Sequence, residues 1–131
     1  MTKEQLFKHE YSFELQRIAK GDLFSAEGML ESKKGRPENV CYMAQQAIEK
    51  SLKALLCNLN NPVPFTHSIE IILDRLPKDL RPGGGEALIA LTDYAMIRRD
   101  NEGNEVITIE DMAATVEAAG DVIKWVDVQL K

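Results

Sequence analysis

A chain of 131 residues with 44% hydrophobic content can bury one core but is too short for two ordinary domains, so residues 1–131 are read as a single domain. The formal charge of −5 repels nucleic acid at long range, which confines any RNA or nucleotide contact to a local basic patch. No apolar run approaches the roughly 18 residues that cross a bilayer, and the opening MTKEQLFKHEYSFE lacks the apolar core of a signal peptide; a cytoplasmic protein is expected.

Leu15, Ile18, Ala19, Leu23, Ala26, Met29 and Leu30 recur every three or four residues and predict a first amphipathic helix over Tyr11 to Glu31. The charged segment 32-SKKGRPE-38 ends it, with Gly35 suited to left-handed geometry and Pro37 to the first turn of the next helix. Val40, Met43, Ala44, Ala47, Ile48, Leu52, Leu55, Leu56 and Leu59 predict that second helix, with Glu49 and Lys53 as an i,i+4 ion pair on its polar side. Cys41 and Cys57 lie about 24 Å apart along it, beyond disulfide reach, and are expected as small core residues.

Two prolines make 58-NLNNPVPFTHS-68 a loop, after which Thr66 or Ser68 caps a short third helix through Ile69, Ile72, Leu73 and Leu76. A fourth helix, about Glu86 to Arg98, buries Leu88, Leu91 and Ala95, with Tyr94 or Ile97 as further candidates. Thr108 and Asp111 form a capping box for a fifth, whose seam is Met112, Val116, Ala119, Ile123, Val126 and Leu130. No segment reads as a strand. The expected fold is all-α: a helical bundle of about five helices, an up-and-down four-helix core plus a short helix.

The blocks 22-DLFSAEGML-30, 42-YMAQQAIEKSLKALL-56, 64-PFTHSIEIIL-73 and 94-YAMIRR-99 stand in the order found in HEPN (higher eukaryote and prokaryote nucleotide-binding) domains, and the chain resembles that family over most of its length. The second block is the most specific. The resemblance implies a helical bundle that dimerises. It also implies pairing with a minimal nucleotidyltransferase in two-gene toxin-antitoxin systems and, in catalytic branches, metal-independent ribonuclease activity.

Those branches carry an Arg and a His with four to six residues between them. The matching Arg here is Arg98 or Arg99, and the windows that should hold the His read Gly103, Asn104, Glu105 and Asn104, Glu105, Val106. Metal-free RNA cleavage needs an acceptor for the 2'-hydroxyl proton, and the Asn104 amide cannot serve as one. The motif is therefore incomplete, and whether the chain is an enzyme stays open.

Arg98 and Arg99 are the candidate phosphate contacts, although cations at a helix C-terminus also complement its carbonyls. Gln46, Lys50 and Lys53 offer polar groups along the second helix, where a solvated face is the plainer reading. His67 stands at the entrance of the third helix, where the family also places one, and Asn104 completes the candidate ligand-binding set. Asp22 and Asp93 could face one groove, 83-GGG-85 reads as a connector, and Lys33, Lys34 and Arg36 read as a solvated loop. Trp125, off the seam of the last helix, suggests a subunit contact, whereas His9 suggests nothing. No His or Cys pair has metal-ligand spacing, so no metal or cofactor is expected.

The expected function is a non-catalytic or weakly catalytic homodimeric module that binds a nucleotide, RNA or a minimal nucleotidyltransferase partner. One rival is a ribonuclease toxin in which another group replaces the missing His. The other is a purely structural interaction bundle.

Overall fold

The computed structural model describes residues 1–91 and 107–131, and these carry helices and no strand. Helix α1 runs Lys3–Ser32, α2 Pro37–Asn58 and α3 Ile69–Arg75; α4 is described over 85–91, and α5 runs Ile109–Gln129. None of the described helices is long and apolar enough to cross a membrane.

Helix α1 begins eight residues before the expected Tyr11 because Thr2 and Gln5 close a reciprocal capping box. The Gln5 amide donates to the Thr2 hydroxyl at 3.1 Å, and the Thr2 amide to the Gln5 side chain at 2.9 Å. Its first three turns expose Leu6, Phe7 and Tyr11, so the apolar stripe that marks the later turns is missing there. At the other end Lys33 takes the left-handed conformation at φ 58°. Gly35 repeats it at φ 88°, where an added Cβ would also press on the Met29 sulfur at 3.1 Å. Pro37 then opens α2, Ser68 caps α3 by accepting from the Ile71 amide at 3.3 Å, and Thr108 with Asp111 forms the expected capping box of α5.

Cross-helix pairs set the topology. Ser12 meets Asn58, Gln16 meets Ser51 and Asp22 meets Lys50, so α1 and α2 are antiparallel. Gln16 and Lys20 of α1 reach Asp127, whereas Cys41 of α2 meets Thr115 and Asn58 meets Lys131; α5 thus lies antiparallel to α1 and parallel to α2. The main core gathers Ile48, Leu52, Leu55 and Leu56 of α2 with Ala19 and Ala26 of α1, Ile72 of α3, Leu88 of α4 and Val126 of α5.

A polar thread runs through this core. Buried Gln16 accepts from the Ser51 hydroxyl at 2.6 Å while its amide donates to the Ile123 carbonyl at 3.1 Å and to Asp127 at 2.9 Å. One side chain of α1 therefore fixes its register against α2 and α5 together. The Ser51 hydroxyl and the Gln16 amide are buried and have no water to fall back on.

Cys41 and Cys57 are both buried, as their spacing suggested, and neither is bonded to the other. Burial pushes the Cys57 thiol up, against a smaller downward pull from the Lys8 ammonium.

Two measurements follow from this packing. Gln16→Ala strands the Ser51 hydroxyl inside the core and should lower unfolding free energy by about 1–3 kcal/mol, read as an earlier urea midpoint with an unchanged slope. An unshifted midpoint would remove Gln16 as the register pin. A raised thiol pKa leaves less thiolate at neutral pH, so native protein should react slowly with a thiol reagent at about pH 7.5 and react fully in denaturant. Immediate labelling of Cys57 in the native protein would contradict its burial.

Candidate functional site

Helix α2 is buried on more than one side, and this changes the character of its charged residues. The Glu49–Lys53 pair forms as expected at 2.8 Å, but not on an open polar face: the Glu49 side chain is only 6% exposed and Lys53 18%. A buried carboxylate needs compensation on its free lone pairs. The same oxygen, Oε1, also takes a hydrogen bond from Nδ1 of His67 at 2.8 Å. Glu49 therefore tethers the α2–α3 loop to α2, through a residue that stands eighteen positions further along the chain.

The tautomer follows from the chemistry of the partners. An ionised carboxylate only accepts, so Nδ1 carries the proton and donates, and the Nε2 lone pair of neutral His67 is directed away from Glu49. The His67 side chain is 82% exposed, which leaves Nε2 open to solvent and ligand. Glu49, Lys53 and His67 together form a cluster whose net charge is zero with neutral imidazole and positive once it is protonated.

The rest of the helix edge is partly engaged. Lys50 donates to Asp22 of α1 at 2.7 Å with 31% of its side chain exposed, so its charge is compensated by a neighbouring helix. Asp22 is thereby placed as an interhelical partner. Gln46 is half-buried one turn before Lys50. The structure thus brings Glu49, Lys53 and His67 together and sets Lys50 with Asp22 on the same helix. Arg98, Arg99, Asn104 and Asp93 lie outside the described residues, as do Tyr94, Ala95 and Ile97.

Other sequence candidates resolve differently. Arg36 pairs with Glu38 at 3.5 Å, while Lys33 and Lys34 rim a cavity of about 230 Å³ floored by Met29, Leu30 and Val40. Trp125 does not stand free on a polar face. It packs half-buried against the core and lines a cavity of about 290 Å³ with Leu88, Leu91 and Gly84. Gly84, at φ 72°, makes the turn into α4, as a connector should. His9 engages the Lys131 carbonyl through Nε2.

Glu49 is the residue of this cluster that sequence reasoning misplaced, because an i,i+4 Glu–Lys pair is ordinarily a surface feature. The available signal was His67: a conspicuous imidazole near the helix in the fold needs an acceptor for one ring nitrogen.

Comparisons with known proteins agree with this architecture. The chain matches the HEPN domain family over residues 13–129. It is also similar to the crystal structure of TT1696 from Thermus thermophilus, with 23% identity, a TM-score of 0.73, and coverage of 91% of this chain and 98% of that one. That likeness is one of fold. No curated protein sequence matches the chain.

Removing the central carboxylate tests the cluster. Glu49→Ala leaves Lys53 without its partner and unties His67, and should cost about 1–3 kcal/mol of stability. Amide exchange should also accelerate across 65–68 while the Gln16 region stays protected. Uniform acceleration along the whole chain would instead show that Glu49 has no local tethering role.

Proposed function

We propose a function from one established premise: the chain belongs to the HEPN domain family. Within it, this protein acts as a non-catalytic or weakly catalytic binding module. It forms a homodimer and engages a nucleotide, an RNA or a minimal nucleotidyltransferase partner within a prokaryotic two-component, toxin-antitoxin-like system. The observation that carries the reading is chemical. The windows after Arg98 and Arg99 hold Asn104 where a proton-accepting His would stand, which removes the base of metal-free RNA cleavage but leaves two guanidinium groups for phosphate.

Gln46, Lys50, Lys53 and His67 supply further polar contacts along α2 and its following loop. Lys53 and Lys50 are each balanced by a carboxylate, so an anion on this edge shares their ammonium groups with Glu49 and Asp22. The ribonuclease rival has one observation in its favour, the exposed imidazole of His67 oriented by Glu49.

Incubation of purified protein with cellular RNA, beside Arg98→Ala/Arg99→Ala and His67→Asn variants, separates the readings. The expected result is no cleavage by any of them, together with a thermal shift of the wild type by RNA or nucleotide that the double variant reduces. Cleavage by wild type that either variant loses would establish a ribonuclease. A wild type that gains stability only from a co-expressed protein partner would leave a purely structural bundle.

A further inference from the structure

Phe65 is the most exposed large hydrophobic residue described in the chain, with its ring free of the protein surface. Single exposed aromatics are common and carry little meaning alone. The way this ring is held is less ordinary. Pro62 and Pro64 restrict the backbone on its N-terminal side. The Thr66 amide donates to the Pro64 carbonyl at 3.0 Å, closing a tight turn centred on Phe65. The Ser68 amide donates to the Thr66 hydroxyl at 3.0 Å, and the Ser68 hydroxyl caps α3. His67 is tied to Glu49 at 2.8 Å. An aromatic ring thus stands in solvent on a loop whose flanking residues are individually tethered, so little further ordering is lost when a ligand covers it.

Two residues along, the tethered imidazole presents Nε2 to solvent, and Lys53 shares its carboxylate anchor. Segment 61–68 contains no Asp or Glu, in a chain whose formal charge is −5. The charged groups set against His67 are Glu49 and Lys53 from α2, with Glu70 on the first turn of α3 the nearest following carboxylate in the chain. Glu49 is engaged by its two donors, so a phosphate approaching the Lys53 ammonium meets a cluster whose charges balance, with the Nε2 acceptor beside it.

We propose that Phe65, His67 and Lys53 form a nucleotide-binding point on the α2–α3 loop, where the phenyl ring stacks on a base, Nε2 of the imidazole accepts from a base amino group or a ribose hydroxyl, and the ammonium meets the adjoining phosphate. This rests on the nucleic-acid-binding form of the function proposed above and assigns it a place and a ligand chemistry. An exposed aromatic beside cationic groups is the arrangement that holds unpaired nucleotides, because every base offers a π face whatever its sequence. A double helix would hide that face, so the ligand class is a single strand or a free nucleotide.

The test is fluorescence anisotropy with a labelled single-stranded RNA of about twelve nucleotides, and calorimetry with AMP as the separate small-ligand arm. Phe65→Ala touches no packed atom and should leave circular dichroism and melting temperature unchanged. It should weaken binding of the responsive probe about 5- to 150-fold, the loss expected for one stacked base, and Phe65→Trp should restore it. His67→Asn keeps a donor for Glu49 but loses Nε2. It should weaken binding of the responsive probe, because the base or ribose donor loses its ring-nitrogen acceptor, while the melting temperature stays close to that of the wild type. If RNA alone responds, the ligand is a strand; if AMP responds equally, a mononucleotide suffices.

Wild-type binding that both variants retain unchanged would overturn this site while leaving the family-based function standing. Failure of the wild type to bind either probe would sink the nucleic-acid reading and this site with it. A change of oligomeric mass in Phe65→Ala at unchanged RNA affinity would show that the ring serves a protein contact and overturn the proposal.

Discussion

Helix α2 is enclosed by its neighbours, and the rest of the structure follows from that enclosure. Thirteen of its 22 residues are buried, well beyond the three in seven that a simple amphipathic stripe would hide. A helix packed on one side can leave all its polar residues in water. One packed by α1, α3 and α5 cannot, so Ser51 and Glu49 enter the interior and each requires a partner from elsewhere in the chain. Ser51 finds Gln16, and through it the backbone of α5; Glu49 finds Lys53 and the loop before α3. The same constraint therefore sets the register of the bundle and aims the imidazole.

These two polar links differ in what they do to the surface. The Gln16 link closes on itself among buried groups and contributes specificity of packing. The Glu49 link is open at one end, since satisfying a buried carboxylate with a histidine uses only one ring nitrogen and exports the other to solvent. Had an Asn or Ser provided that hydrogen bond, the carboxylate would be equally satisfied and no titratable group would face outward. The structural demand and the functional opportunity are thus separable, and the choice of His67 supplies the second.

Local signals read from the sequence translated directly where the controlling interaction is local. Pro37 opens α2, Thr108 and Asp111 cap α5, and Gly35 takes a positive φ, all within a few residues of the partners that decide them. The start of α1 was missed because its capping box precedes turns that expose Leu6, Phe7 and Tyr11, and periodicity sees only buried stripes. A solvated face is the plainer sequence reading of Lys50, and Asp22 reads as a helix-surface carboxylate that could face a groove, yet the two neutralise one another across 28 positions. Burial of Glu49 was equally invisible, since it depends on which helices surround α2 and not on α2 itself.

The two histidines bring the chemistry to a single place. Imidazole is the side chain best suited to proton transfer near neutral pH, and the windows following Arg98 and Arg99 contain none. His9 commits Nε2 to the Lys131 carbonyl, and its ring sits edge-on to Phe13 with centroids 5.3 Å apart. His67 alone among the two keeps a nitrogen directed outward while its tautomer is held by a buried carboxylate. The position where the family's catalytic pattern lapses and the position where this chain still holds an oriented imidazole are different ones. Of the two imidazoles, the one on the α2–α3 loop is the one with a ring nitrogen left for a further partner, beside the exposed Phe65 ring.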